Sequence, residues 1–105
     1  MDFDDYQAAA RRTARYPRDR YGVIYPSLGL CGEAGEVAEK VKRHIRSGEP
    51  LDREGVVKEL GDVLWYLSMV ADDLGVPLSE VARRNVEKLG ARAERGVIHG
   101  SGDDR

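Results

Sequence analysis

Apolar side chains recur every three or four residues along most of the chain, which is the spacing of an amphipathic helix. The run between residues 30 and 45 and the longer run between residues 56 and 74 both keep this spacing. Alternation of apolar and polar residues is nearly absent, because GVIY and GVIH are too short to build a sheet. The sequence therefore predicts an all-α fold.

Start and stop signals divide the chain into four predicted helices. The first begins near Phe3 and must end near Pro17, because proline lacks the backbone N–H that a helix interior needs. The prolines and the glycine within residues 17–27 predict a loop. Ser27 is the predicted N-cap of the second helix, which runs to Gly48.

Similar signals bound the third and fourth helices. Asp52 is predicted to cap the third helix and Gly75 to end it, and the fourth helix is predicted over residues 78–95. A chain of 105 residues has the length of one domain. We therefore predict one helical domain over residues 1–96, followed by a glycine-rich tail over residues 97–105.

The third predicted helix is apolar on more than one side. Trp65, Tyr66 and Met69 lie off the side that Leu60 and Leu67 form. A helix that is apolar all round is buried on more than one face, and a bundle of this size has little to cover the second face. We expect a second subunit to cover it and a ligand pocket to lie beside it.

Composition and charge argue against two classes of binding partner. Charged residues make up 34% of the chain and the net charge is −2, so neither nucleic acid nor an acidic membrane surface is an expected partner. The single cysteine, Cys31, excludes an internal disulfide and fits a reducing compartment. No run approaches the roughly 20 apolar residues that a membrane span needs, so a cytoplasmic location is expected.

Two acidic pairs with the same spacing lie on neighbouring predicted helices. Glu33 and Glu36 are three residues apart on the second helix, and Glu59 and Asp62 repeat that spacing on the third. A short connection favours antiparallel packing, so the two pairs can face each other and their carboxylates converge. The alternative is that they are ordinary solvated charges.

Converging carboxylates repel one another, and a divalent cation removes that repulsion. Oxygen ligands favour Mg²⁺ or Mn²⁺ over zinc. A di-iron bundle needs a glutamate three residues before a histidine, and neither His44 nor His99 has one. Gly32 and Gly35 flank the first acidic pair, and we expect them to leave space for a neighbouring helix or a hydrated metal.

The paired motif resembles the MazG-like, all-α nucleoside triphosphate pyrophosphohydrolases. Their signature is E-x-x-E followed by E-x-x-D on adjacent helices, and the chain has Glu33-x-x-Glu36, a 22-residue gap and Glu59-x-x-Asp62. These motifs lie within LGLCGEAGEVAEK and KELGDVLWYL, and the likeness spans residues 3 to 95. The resemblance implies a four-helix MazG-like bundle completed by homo-oligomerisation, as a homodimer or a homotetramer.

The resemblance also implies a reaction. The family converts a nucleoside triphosphate, often a deoxy or non-standard one, to the monophosphate and pyrophosphate, which cleans the nucleotide pool. The resemblance also implies the ligands of Mg²⁺, for which Mn²⁺ could substitute: Glu33, Glu36, Glu59 and Asp62. One carboxylate that leaves the metal could act as general base, and Glu36 and Glu59 are the catalytic candidates.

Cations are expected to contact the phosphates that the metal does not reach. Lys88 and Arg92 lie on one edge of the fourth helix and either bind phosphate or remain ordinary surface charges. Asn85 falls within the apolar arc of that helix, where an amide needs a partner. Lys40 either binds phosphate or pairs with Glu36, four residues before it.

Aromatic side chains are expected to hold the base, because their faces stack on any nucleobase. Tyr66 lies one turn beyond Asp62 and Trp65 lies beside it, although Trp65 could instead belong to the core or to a subunit interface. Tyr21 and Tyr25, in the predicted loop, could line the same pocket.

Two interpretations of the tail GVIHGSGDDR are possible. It is either a lid whose backbone N–H groups wrap phosphate oxygens or a frayed terminus. As a lid, its removal after Gly96 should lower activity and leave the fold intact.

Two other functions are compatible with these residues. One is a phosphoribosyl-ATP pyrophosphohydrolase, which shares the fold and the carboxylate chemistry. The other is a non-catalytic helical module that binds a partner through its acidic face and through Trp65, Tyr66 and Met69.

Overall fold

In a computed structural model, residues 1–103 are described and form five helices and no strand, which confirms the all-α prediction. Asp104 and Arg105, the end of the predicted tail, lie outside the described residues. The helices are α1 (Phe3–Arg11), α2 (Arg18–Tyr21), α3 (Ile24–Ser47), α4 (Arg53–Asp73) and α5 (Leu78–Arg95).

The prediction of a loop over residues 17–27, with Ser27 as N-cap, was wrong. That stretch contains the short helix α2 and the first turn of α3. Pro26 is tolerated there because the first N–H groups of a helix have no partner within it. Ser27 already lies inside the helix, where its hydroxyl donates to the Val23 carbonyl at 2.6 Å.

The first predicted helix begins at Phe3 but ends at Arg11, well before Pro17, because the chain there passes into tighter turns, such as the one that the Thr13 N–H closes on the Ala10 carbonyl at 3.0 Å.

The remaining predicted boundaries are confirmed. Gly48 follows α3 in the left-handed conformation, with φ of 72°. The Asp52 carboxylate accepts from the Gly55 N–H at 3.0 Å and so caps α4. Gly75, also with φ of 72°, follows the end of α4, and α5 occupies the residues predicted for the fourth helix.

Helices α3 and α4 form an antiparallel hairpin, the most extensive helix pair in the chain. A Cβ on Gly29 would lie 2.2 Å from the Tyr66 ring, so the ring packs directly against the backbone of α3. At the other end of the hairpin, Lys40 Nζ lies 3.6 Å from the Asp52 carboxylate. This packing fixes which residues of the two helices face each other.

Helix α1 runs alongside α4 and joins it to the start of α5 through Gln7. Gln7 is 4% exposed, and its side-chain amide nitrogen donates to the main-chain oxygens of Ser68 and Val76 at 3.4 and 3.0 Å. Its amide oxygen accepts from the Leu78 N–H at 3.0 Å. One buried amide therefore connects three helices.

The single chain has a small core and a large exposed apolar surface. The core cluster joins Ala10, Tyr16 and Met69, which is fully buried. Large apolar side chains on three helices are open to solvent, namely Ile45 (75% exposed), Val57 (66%) and Val86 (69%). The radius of gyration is 16.4 Å, whereas a compact chain of this length has about 13 Å.

No helix within residues 1–103 is long and apolar enough to cross a lipid bilayer.

Candidate functional site

The α3–α4 hairpin brings three of the four predicted carboxylates together. Glu33 faces Glu59 and Asp62, and each of the three offers an oxygen within 4.8 Å of the others. Glu59 and Asp62 lie one turn apart on α4, as the E-x-x-D spacing requires. We call these three residues the acidic cluster.

Within the acidic cluster, the Glu33 and Glu59 side chains lie close enough to share a hydrogen bond. That bond is the main reason why the pKa of Glu33 is raised above its ordinary value, with burial and the charge of Asp62 adding to it. A hydrogen bond between two carboxyl groups requires a proton on one of them. The proton relieves the same repulsion that a bound cation would relieve, so the donor set fits a hard divalent ion.

Glu36, the fourth predicted ligand, lies on the next turn of α3 and is exposed. It is not among the three residues whose oxygens cluster within residues 1–103. Its charge still reaches Glu33, whose pKa it helps to raise. Its role as a metal ligand or general base therefore stays a prediction.

A cavity of about 330 Å³ opens beside the acidic cluster. Its lining combines two carboxylates with aromatic and hydroxyl groups, from Thr13, Glu33, Asp62, Trp65 and Tyr66. The indole N–H of Trp65 donates to the Thr13 hydroxyl at 2.8 Å, which fixes the ring. The structure therefore brings the predicted aromatic residues of α4 next to the predicted metal ligands.

A second cavity of about 430 Å³ adjoins the first and shares Thr13, Trp65 and Tyr66 with it. It is also lined by Tyr16 and Tyr25, whose rings stack with centroids 4.9 Å apart. We call the two adjoining cavities together the aromatic pocket. Tyr21, an alternative from the predicted loop, is not among the lining residues of either cavity.

Tyr16 is a residue of this pocket that the sequence did not reveal. Its hydroxyl donates to the Asp73 carboxylate at 2.6 Å, and Arg18 pairs with the same carboxylate at 2.6 Å. Burial and the Asp73 hydrogen bond hold the pKa of Tyr16 well above its ordinary value. The contact links residues 57 positions apart, which no local pattern could have indicated.

The predicted phosphate contacts on α5 lie elsewhere in the single chain. Asn85 and Lys88 line a third, mostly apolar cavity of about 490 Å³ between α4 and α5, together with Leu67 and Val70 of α4. Asn85 is exposed at its rim rather than buried in the apolar stripe. Arg92, one turn beyond Lys88, is 3% exposed and contacts Asp103 of the tail.

Lys40 is also occupied within the chain. Its ammonium pairs with Asp52, the cap of α4, across the hairpin. The sequence suggested a partner on the same helix, and the actual partner depends on how α3 and α4 pack. The structure therefore places Lys40 at the far end of the hairpin from Tyr66.

Comparison with known proteins agrees with this geometry. The MazG nucleotide pyrophosphohydrolase domain matches residues 27–97. The chain is 46% identical, over an alignment of length 114, to the Gene 37 protein of Mycobacterium phage L5, and the alignment covers both chains completely. It is 32% identical over 83 residues to the uncharacterized protein YvdC of Bacillus subtilis (strain 168), covering 70% of this chain and 78% of that one.

No solved structure matches the chain significantly. The matched residues include the whole acidic cluster, Tyr66 and all of α5. The chain therefore belongs to the MazG nucleotide pyrophosphohydrolase domain family.

Proposed function

We propose that the protein is a Mg²⁺-dependent pyrophosphohydrolase that cleaves (deoxy)nucleoside triphosphates, including non-standard ones, to the monophosphate and pyrophosphate. One observation carries the proposal: an acidic cluster on a helix hairpin borders an aromatic pocket. The carboxylates suit a metal-bound triphosphate, and the aromatic rings suit a base. The two halves of a nucleotide thus have adjacent sites.

In this proposal Glu33, Glu59 and Asp62 hold the metal, and Glu36 joins them from the next turn of α3. When bound, Mg²⁺ or Mn²⁺ supplies positive charge for the phosphates and lowers the pKa of a coordinated water. Whichever of Glu36 and Glu59 is released from the metal would accept the proton of the attacking water. The convergence of Glu33, Glu59 and Asp62, whose oxygens lie within 4.8 Å of one another, supports this assignment, because their repulsion needs a counter-charge.

The aromatic pocket would hold the base by stacking. Tyr66 and Trp65 meet nearly edge to face, with centroids 5.1 Å apart, and Tyr16 stacks on Tyr25 behind them. Stacking gives affinity with little selectivity among bases, so broad acceptance of nucleotides is expected. The Thr13 hydroxyl stands at the same pocket as a polar group for the base or sugar.

Asn85, Lys88 and Arg92, with Lys40, are proposed as the phosphate contacts. Asn85 and Lys88 line the cavity between α4 and α5 rather than the acidic cluster of the same chain, and Arg92 pairs with Asp103. A second copy of the chain, packed on the exposed apolar faces, would bring such cations to the triphosphate. We therefore propose a homodimer or a homotetramer as the active form.

The experiment that tests this function is pyrophosphate release from a panel of nucleoside and deoxynucleoside triphosphates, with and without Mg²⁺. Phosphoribosyl-ATP belongs in the panel, because preferential turnover of that compound would assign the alternative reaction. No turnover of any member, together with no Mg²⁺ or Mn²⁺ binding by calorimetry, would contradict the proposal and favour a non-catalytic module.

A further inference from the structure

The glycine-rich tail folds back onto the last turns of α5. Gly96 leaves the helix with φ of 71°, and the next N–H, that of Val97, donates to the Arg92 carbonyl at 3.0 Å. A further turn follows, in which the Gly100 N–H donates to the Val97 carbonyl at 3.1 Å. Gly102 has φ of 84°, a conformation that glycine adopts without strain. These turns return the chain so that Asp103 lies beside α5.

Asp103 occupies the space between two cations of α5. Its carboxylate lies 3.2 Å from Lys88 Nζ and 3.4 Å from Arg92 Nη2. The same Arg92 nitrogen also donates to the main-chain oxygen of Asp103. These contacts, above all the hydrogen bond from Lys88, lower the pKa of Asp103 from its ordinary value. We call this set of contacts the tail latch.

Arg92 is the unusual member of the latch. Its side chain is only 4% exposed, and its Nε has no hydrogen-bond partner among the described residues. A buried guanidinium is stable only beside an anion or another strong acceptor. Asp103 supplies that anion, but its own side chain is 84% exposed. The cation site is thus built into the helix, whereas its occupant is held at the surface and can leave.

We propose that Lys88 and Arg92 form an oxyanion site that the chain's own Asp103 occupies until a phosphate-bearing ligand displaces it. The inference rests on the proposed function for the phosphate role of these cations, and it adds an intramolecular competitor. Lys88 and Arg92 are one helical turn apart on the same face, so one tetrahedral oxyanion can contact both. Nucleotide binding and release of the tail are then coupled.

The size of the effect follows from the exposure of the latch. Exposed ion pairs contribute little free energy, so the closed tail lowers the apparent affinity for the ligand only modestly. Removing the Asp103 charge should therefore strengthen oxyanion binding by about two- to five-fold, the factor by which the closed form reduces the apparent affinity.

The test is calorimetric titration of the full chain with inorganic pyrophosphate in the presence of a metal chelator. Asp103→Asn is compared with the unmodified protein. Glu94→Gln is the matched control, because Glu94 is an exposed carboxylate on α5, the helix that carries both cations. Lys88→Gln, combined with Asp103→Asn, locates the ligand. Since pyrophosphate is not hydrolysed here, the readout is independent of catalytic activity.

Tighter binding by Asp103→Asn, unchanged binding by Glu94→Gln and weaker binding in the double variant are expected. Equal or weaker binding by Asp103→Asn overturns the latch, and weaker binding would assign the tail the role of a lid. Equal strengthening by Glu94→Gln reduces the effect to net charge and also overturns it. No binding by any variant contradicts the oxyanion site itself, because Asp103→Asn leaves both cations available.

Discussion

Glu33 illustrates how much one proton matters in this site. Its pKa is raised, first by the hydrogen bond with Glu59 and then by burial and the charge of Asp62. In the pH range above the ordinary glutamate pKa, the folded chain therefore holds a proton that the unfolded chain has released. The free energy of unfolding must fall as pH rises from the ordinary pKa through the raised one.

We expect Glu33→Gln, which cannot ionise, to raise the midpoint of thermal unfolding at neutral pH when divalent cations are chelated. In acid, below the ordinary pKa, the same substitution should change the midpoint little. Thermal unfolding at the two pH values measures this difference. Glu54→Gln, at an exposed position in the first turn of α4, is the control. An equal change at both pH values would show that repulsion in the acidic cluster is not responsible.

Gly29 is the glycine of α3 that packing demands. A Cβ there would lie 2.2 Å from the Tyr66 ring, whereas a Cβ on Gly32 or Gly35 would meet nothing within 4 Å. The sequence drew attention to the latter two because they flank acidic residues. Their suggested role, space for a neighbouring helix or a hydrated metal, stays a prediction.

Gly29→Ala should destabilise the protein by about 1–3 kcal/mol, because the Tyr66 ring must shift to admit the methyl group. Gly32→Ala is the matched control, and it should leave the stability of the chain equal or higher, since alanine favours the helix. Chemical denaturation of both variants measures the difference. Equal stabilities would mean that Tyr66 does not pack against α3 as described.

At the scale of elements, the sequence correctly predicted the helix ends that depend on residues close together in the chain. Asp52, Gly48 and Gly75 mark helix ends through local backbone chemistry, and all of them are confirmed. The prediction of a loop over residues 17–27 was wrong for two reasons. Proline is permitted in the first turn of a helix, and α2 is stabilised by a residue distant in sequence, Asp73, which pairs with Arg18. Contacts such as Lys40 with Asp52 depend on packing, which periodicity alone does not specify.

Asp73 connects α4 to α2 and to the aromatic pocket. It accepts from Tyr16 at 2.6 Å and from Arg18 at 2.7 Å. Asp73→Asn should raise the KM for nucleotide more than it lowers kcat, because the Tyr16–Tyr25 stack loses its support while the acidic cluster stays intact. A cost of about 1–3 kcal/mol in stability should accompany it.

Steady-state kinetics and thermal unfolding of Asp73→Asn measure both effects. Asp19→Asn, an exposed carboxylate on α2, is the control and should change neither. An unchanged KM in a destabilised variant would limit Asp73 to a structural role.

At the scale of the whole molecule, the single chain is more open than a compact domain of its length. Its radius of gyration of 16.4 Å exceeds the roughly 13 Å of a compact chain of this length. From sequence, the third predicted helix was already expected to have an apolar face that the single chain does not cover. Which faces of α3, α4 and α5 remain exposed became visible only once the packing was known.

We expect sedimentation to give a dimer or a tetramer. Val86→Asp should shift the protein toward monomer, because it places a charge on an apolar position that is 69% exposed in the single chain. Glu94→Gln, on the polar side of the same helix, should leave the mass unchanged. A monomeric unmodified protein would contradict the proposed assembly.

The central claim is that the acidic cluster hydrolyses nucleoside triphosphates between the α and β phosphates. The most direct test is product analysis of Mg²⁺-dependent turnover by the unmodified protein, Glu59→Gln and the control Glu54→Gln. We predict equal amounts of monophosphate and pyrophosphate, a loss of about 10²–10⁴-fold in Glu59→Gln with its helix content retained, and normal turnover in the control. Release of diphosphate and phosphate, or undiminished turnover by Glu59→Gln, would contradict the claim.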